Sequence, residues 1–506
     1  MSEARVWVPR PDQEPVVEFL RGRERAAVWA PTGGGKTAIA GHWLVDVMFD
    51  RFEVGRALIV APRLVALEGW PEQFAKWTGL RPLLEDHRVL TFEDLGLVQM
   101  DEVVEEAPGR RHKPYKVPRG TVYGPGLVTQ RVLAFEDKAA AKRGMRSLQQ
   151  RVHICSWDAF PWVAQAYGKN WPYDCVIFDE ASFLRQQSSE RSKAARHAVL
   201  RTGKVTHTLQ LAATPNSNHD EAVWHQLHLI APGLLGETLT EFRETYCVPE
   251  SKNWSTGQVY SWKVAGAMRE QFQNLAAQVS VSVPDSLGID VLPVEHWMDL
   301  PGAVRDEYDA LNRDQVLDVP RVTAASEAVL QAKLRQLASG FIYDDDGAAH
   351  GMHDVKLAAL RQITEDLDGR QALIAYEFDE ERKRIAALLG KDFADIRQSG
   401  AKKRFMEGKL QFLGVHPQSA GHGVDGLQER SNVIVWTTVP QDRELFDQTN
   451  GRLKRPGQAA PTVMAHMLIA RGTVEERVWT EVLPQKLQRA ERLLDAVRAR
   501  DSVAVA

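Results

Sequence analysis

Ala30-Pro31-Thr32-Gly33-Gly34-Gly35-Lys36-Thr37 follows the apolar run Ala26 to Trp29 and precedes a helix-compatible stretch, Ala38 to Val45. A strand, a glycine-rich turn ending in Lys-Thr and a helix, in that order, are the context of a phosphate-binding loop. Successive glycines let backbone N–H groups turn inward around a phosphate without Cβ clashes. The helix that starts there points its positive end at the anion. Lys36 is suited to the β- and γ-phosphates of ATP and the Thr37 hydroxyl to Mg²⁺. Thr32, Gly33, Gly34, Gly35, Lys36 and Thr37 are therefore the candidate nucleotide residues.

Outward from this loop, short apolar runs recur, each followed by turn residues and a helical pattern. Ala26 to Trp29, Ala57 to Val60, Asp174 to Phe178 and Leu209 to Ala212 form one group; Ala372 to Tyr376, Leu410 to Val415 and Val433 to Trp436 form another. Apolar runs of strand length alternating with helices indicate parallel sheets buried on both faces. The stretch between the groups, about 233–370, reads mainly as helices, with Thr240 to Thr245, Gly266 to Val279 and Ser326 to Ser339 as examples. The expected fold is α/β, two parallel-sheet lobes with helical insertions.

One run ends in two acids, Val176-Ile177-Phe178-Asp179-Glu180-Ala181-Ser182. Successive strand side chains point to opposite faces, so adjacent acids at a strand end can take separate tasks. Asp179 suits Mg²⁺, and Glu180 suits orientation and deprotonation of an attacking water. The alternative is a pair of solvent-facing acids capping the next helix.

The 506 residues are 44% hydrophobic and 26% charged, ordinary for a globular chain and long enough for two or three cores. No run approaches the roughly 18 apolar residues of a membrane span, and Met1 to Arg25 has no apolar signal core. Cys155, Cys175 and Cys247 are scattered and suggest a reducing cytoplasm rather than a disulfide framework. The net charge of −4 does not announce a nucleic-acid binder, so any positive surface must be local. Arg110, Arg111, Lys113, Lys116 and Arg119, with Tyr115 among them, fit either a solvated loop or a phosphate-contacting loop with a stacking ring. Asp344-Asp345-Asp346 ahead of Gly347 reads as a hairpin turn rather than a metal site.

Further motifs follow in order from about Pro9 to Val482, and together they resemble a superfamily 2 helicase of the Swi/Snf-like branch, in its small bacteriophage and bacterial form. Pro11-Asp12-Gln13 resembles an adenine-reading element with Gln13 as the contact. Ala61-Pro62-Arg63 resembles a loop that touches the DNA backbone, through Pro62 and Arg63, and Ser156-Trp157-Asp158 a second strand-contact motif, through Trp157. Leu211 to Asn216, including Thr214, resembles the motif that couples hydrolysis to lobe movement. Ser419-Ala420-Gly421-His422-Gly423 resembles one that senses DNA through Ser419 and His422 and nucleotide through Gly423. Gln448 to Gln458 carries the family spacing of Gln448, Arg452, Arg455 and Gln458, with Gln448 at the nucleotide and the two arginines as fingers on its γ-phosphate.

The resemblance implies two RecA-like lobes. Residues 1–232 form the first, with a basic insertion at about 89–135; 233–295 form a helical connection, 296–483 the second lobe and 484–506 a C-terminal helix and tail. It implies ATP and Mg²⁺, a double-stranded or branched DNA partner with single-stranded DNA as a further one, no membrane and a monomer. The expected activity is ATP-driven movement on double-stranded DNA that remodels it by branch migration, reannealing or protein displacement. A strand-separating DNA or RNA helicase and an ATP-gated DNA-binding switch remain alternatives.

Overall fold

The computed structural model describes residues 4–91, 94, 97–105, 123–124, 127–135, 148–213, 220–252, 259–317, 321–324, 326–420 and 426–504. Two all-parallel sheets organise the chain. The first has seven strands in the order Ser280–Ser282, Arg25–Trp29, His207–Ala212, Cys175–Asp179, Ala57–Ala61, Val152–Ser156, His87–Val89. The second has six, in the order Asp290–Met298, Thr462–Ala470, Val433–Trp436, Ala372–Ala375, Phe412–Val415, Phe393–Asp395.

The apolar runs alternate between two covered faces. Ala26 and Val28 pack with Ala57, Ile59 and Ile177 on one side of the first sheet. Ala27 and Trp29 pack with Leu58, Val60 and Phe178 on the other. A strand with apolar residues at every position is what a sheet buried on both faces requires. The second sheet repeats this, with Leu373 and Ile434 on one face and Ile374 and Val435 on the other.

The chain passes from the first sheet to the second between Ser282 and Asp290. Ser280–Ser282 pairs with the first sheet and Asp290–Met298 already belongs to the second. The expected helical stretch contains Leu239–Tyr246, Arg269–Val279 and Glu327–Ala338, but also the hairpins Cys247–Lys252 with Val259–Val264 and Phe341–Tyr343 with Ala349–Gly351. Asp344 to Gly347 turns the latter hairpin, and His350 Nε2 lies 2.7 Å from Asp344 Oδ2. The segment expected as a basic insertion contains a backbone ladder, Leu97–Glu105 antiparallel to Leu127–Phe135.

The C-terminal helix Leu483–Ala504 leaves the second lobe and lies on the first. Leu483 is buried in the second-lobe core, whereas Leu493 and Val497 are buried with Phe272, Ala276 and Ala277 of the first. Arg489 pairs with Glu250 at 2.6 Å and Gln273 Nε2 donates to the Arg492 carbonyl at 3.0 Å. The helix thus ties the lobes together. Among the described residues, no helix is long and apolar enough to cross a membrane.

Candidate nucleotide site between the lobes

In parallel sheets all strand ends of one kind share an edge, and ligands collect at the carboxyl ends. The loop after Arg25–Trp29 and the acids at the end of Cys175–Asp179 emerge on that edge, separated only by strand His207–Ala212. Gly33 and Gly35 have φ of 83° and 87°, and Gly35 caps the helix Lys36–Val45. A Cβ on Gly34 would lie 2.9 Å from the Pro31 carbonyl oxygen, and one on Gly35 would lie 2.2 Å from Gln13 Nε2. The tight turn and the close approach each require glycine. Lys36 Nζ donates to the Ala30 carbonyl at 2.7 Å across its own loop, and Thr37 is half-buried in the first helical turn.

Gln13, 2% exposed, braces the loop from behind. Its Nε2 donates to the Gly34 carbonyl at 2.9 Å and its Oε1 accepts from the Arg10 backbone N–H at 3.0 Å. An amide offers two donors and two lone pairs, so capacity for a nucleotide base remains.

Asp179 is buried and accepts from Trp70 Nε1 at 2.9 Å. Burial and then the neighbouring Glu180 push its carboxyl up to about 6, while Lys36 and the Trp70 bond act in the opposite direction. Glu180 follows with φ of 61°, a left-handed conformation that β-carbon residues seldom adopt. Such strain costs of order 1–3 kcal/mol and tends to occur at functional positions. It ends the strand, starts the turn Ala181–Leu184, and places Glu180 beside Ser182 Oγ at 3.2 Å.

The second lobe meets this edge through its helix Arg443–Asn450 and the turn after it. A Cβ on Gly451 would come 2.7 Å from Thr32 Cβ, and one on Gly33 would come 3.5 Å from Pro456 Cδ. Arg452 is buried close enough to Glu180 to feel its charge. Burial lowers its guanidinium to about 10, against the pull of Glu180, so it is still a cation at neutral pH. Its Nε has no partner among the described residues. Arg455 is likewise lowered to about 10 by burial, and its Nε donates to the Gly451 carbonyl at 2.9 Å. Lys454 pairs with Asp285 at 2.5 Å, and Arg185 reaches Glu444 at 3.1 Å and Asp442 at 3.5 Å. Gln448 is buried one turn from Glu444 and donates to it at 3.1 Å, its Oε1 unpartnered among the described residues.

The structure thus brings together Gln13, Thr32 to Thr37, Asp179, Glu180, Gln448, Arg452 and Arg455. Two of the expected DNA contacts are buried in this structure. Trp157 is 2% exposed, stacks on Phe178 with ring centroids 5.6 Å apart and donates through Nε1 to the Asp179 carbonyl at 2.8 Å. Pro62 is buried and its carbonyl accepts from Ala66 N–H at 2.8 Å. Both pack beneath the strand edge. Arg63 is exposed. Ser419 lies in the short helix Pro417–Ala420, its side chain outside the described residues. Thr214, Arg110, Arg111, Lys113, Lys116, His422 and Gly423 also lie outside them. The sequence did not flag Trp70, Arg185 or Glu444 for this site. Glu444 had no sequence signal beyond its i, i+4 spacing to Gln448.

Two facing parallel-sheet lobes with a phosphate loop at their junction define a two-lobed phosphate-loop protein. Residues 32–286 match the family model of the SNF2-related domain, and the chain belongs to that family. It is 25% identical over 494 residues to protein p41 of Acyrthosiphon pisum secondary endosymbiont phage 1, covering 94% of this chain and 95% of that one. Among solved structures it is similar to the Sulfolobus solfataricus SWI2/SNF2 ATPase core in complex with dsDNA, at 16% identity and a TM-score of 0.40, covering 99% of this chain and 96% of that one. The SWI2/SNF2 ATPase core domain of the same organism gives 16% identity and a TM-score of 0.39, covering 94% and 89%.

Proposed function

We propose that this chain hydrolyses ATP between its lobes and uses the cycle to move along double-stranded DNA. The observation that carries the hydrolytic part is the packing of Gly451 on Thr32, with Arg452 within electrostatic reach of Glu180. On this reading, phosphate loop, acids and guanidinium groups from a distant part of the chain bracket one triphosphate. The loop amides and Lys36 bind the phosphates. Thr37 and Asp179 offer a hydroxyl and a carboxylate, the hard oxygen donors that suit Mg²⁺; the metal, when bound, neutralises charge on the β- and γ-phosphates. Glu180 orients the attacking water and takes its proton. Arg452 and Arg455 meet charge spreading over the transferring phosphoryl group, and a planar guanidinium keeps its proton throughout.

Hydrolysis then requires the lobes to meet, and a duplex bound across both favours that meeting. By linkage, nucleotide must change DNA affinity by the same coupling free energy. SNF2-related membership and the motif order support DNA as the track. Contacts chiefly to phosphate make binding sequence-tolerant and salt-sensitive. The test is the ATPase rate with duplex DNA, single-stranded DNA and RNA in parallel at two salt concentrations, with displacement of a triplex strand as the readout of movement. Stimulation by duplex together with triplex displacement is expected. Unwinding of a tailed duplex driven by single strands would replace the proposal with a strand-separating helicase. ATP-dependent DNA binding without displacement would replace it with a switch.

A further inference from the structure

Residues 284–288 are all that separates Val283, buried in the first-lobe core, from Ile289, buried in the second. The link is short, and three successive side chains of it face the nucleotide site. Ser286 Oγ donates to Asp12 Oδ2 at 2.7 Å, beside Gln13. Asp12 is itself gripped by Arg10, whose Nε and Nη2 lie 3.0 and 2.9 Å from its two oxygens. Leu287 stands by the phosphate loop: a Cβ on Gly33 would come 3.4 Å from its Cδ1. Asp285 reaches the other way, to the second lobe. Its Oδ2 is 2.5 Å from Lys454 Nζ, and its Oδ1 accepts from the Leu287 N–H at 3.4 Å.

Lys454 lies between Arg452 and Arg455 in the chain. Its backbone N–H donates to the Asn450 carbonyl at 3.1 Å, and its carbonyl oxygen would lie 3.8 Å from a Cβ on Gly33. The turn that carries both arginines is therefore pinned through this residue, by its backbone to the helix Arg443–Asn450 and by its side chain to the link. We propose that Asp285 is a positioning residue for Arg452 and Arg455: the link, anchored on Asp12 of the first lobe, holds Lys454 and so sets how closely the arginine turn sits over the phosphate loop. This rests on the assignment of those arginines to the transferring phosphoryl group. An ion pair between partly exposed groups adds little to stability, so the contribution of Asp285 falls on the rate rather than on the fold.

The experiment compares wild type, Asp285→Ala, Asp285→Asn, Lys454→Ala, Lys454→Arg, the Asp285→Ala/Lys454→Ala double variant, Lys36→Ala and Arg452→Ala in DNA-stimulated ATP hydrolysis. Each is also measured for binding of a fluorescent ATP analogue and of duplex DNA, and for thermal midpoint. Asp285→Ala, Asp285→Asn and Lys454→Ala are expected to lower kcat by about 10-fold, a fraction of the roughly 100-fold that a misplacement of about 1 Å can cost. KM, DNA affinity and midpoint should stay near wild type. Lys454→Arg keeps the ion pair and is expected to turn over close to the wild-type rate. The double variant should be no slower than either single one, because each removes the same contact. Wild-type kcat in the Asp285 variants overturns the proposal. So does a double variant whose loss is the product of the two single losses, or a loss that comes with weaker ATP or DNA binding and a lower midpoint. If wild-type hydrolysis does not depend on Lys36 and Arg452, the arginine assignment itself fails; if it depends on both but ignores Asp285, only this inference fails.

Discussion

Gly451→Ala is a small change with a calculable consequence. Gly451 has φ of −61° and ψ of −8°, which alanine adopts freely, and at a helix end alanine is intrinsically favoured over glycine by up to about 1 kcal/mol. The added methyl would stand 2.7 Å from Thr32 Cβ and 2.9 Å from Thr32 Cγ2 and the Asp447 carbonyl oxygen. Carbon atoms settle about 3.5–4.0 Å apart, so the second lobe must retreat from the phosphate loop by roughly 1 Å. A displacement of that size can cost a rate on the order of 100-fold, equivalent to about 2.7 kcal/mol of transition-state stabilisation. The expected result is a large fall in DNA-stimulated kcat with an unchanged thermal midpoint and near-normal nucleotide binding. Thr32→Gly removes both first-lobe atoms, so the double variant should recover most of the alanine defect relative to Thr32→Gly alone. A Gly451→Ala protein within twofold of wild-type kcat, or a defect of equal size in both Thr32 backgrounds, would refute the packing of this turn on the loop.

Lys36→Ala should abolish hydrolysis in a folded protein, and robust residual turnover in a phosphate-release assay would remove the active-site assignment. Arg452→Ala should lose turnover while binding nucleotide nearly normally; loss of binding instead would show that Arg452 serves the ground state. His153 and His225 are buried and held neutral, each pushed down to about 4, chiefly by burial. Their folded values lie below the unfolded value near 6.5, so the neutral-state stability is present above about 6.5 and is lost as pH falls from there towards 4. At pH 5 that amounts to roughly 2 kcal/mol for each histidine, and a urea midpoint for the first lobe that does not move between pH 7 and 5 would contradict it. Leu493→Ala should destabilise the first lobe by about 2–5 kcal/mol, as for other large-to-small core changes. Urea unfolding followed by tryptophan fluorescence checks this, with an unchanged first-lobe transition as the contrary result.

The parts of the candidate site that lie in one continuous stretch are legible in the sequence. A glycine loop works through local backbone geometry, so Gly33 to Thr37 announce themselves by spacing alone, and Asp179 and Glu180 do so by ending an apolar run. Residues whose role depends on what packs against them were not legible. Trp157 and Pro62 lie in motif-like stretches, yet the sequence does not say which face of a strand end is covered, and both turn inward. The helical reading of 233–370 missed its hairpins because Cys247–Lys252 and Val259–Val264 gain their stability from each other and from the helix Asp220–Ile230, not from local pattern. Likewise, Leu493 and Val497 look like one stripe of an amphipathic tail; that the stripe belongs to the other lobe's core is a tertiary fact.

What joins the lobes chemically is concentrated in one rigid piece. Glu444, Gly451, Arg452 and Arg455 lie on a single helix and its following turn. Gln448 bonds to Glu444 at 3.1 Å, Trp436 Nε1 donates to Asn450 Oδ1 at 3.1 Å and Arg455 grips the Gly451 carbonyl at 2.9 Å. These bonds prevent the groups from approaching the phosphate loop one at a time. A piece that moves as a body brings Glu444, the contact on Thr32 and the guanidinium groups together or withdraws them together. Coupling between lobe position and hydrolysis then needs no signal relayed through either sheet. It follows from placing these second-lobe contributions on one lever, with the C-terminal helix from Leu483 to Ala504 tying the two lobes that this lever joins.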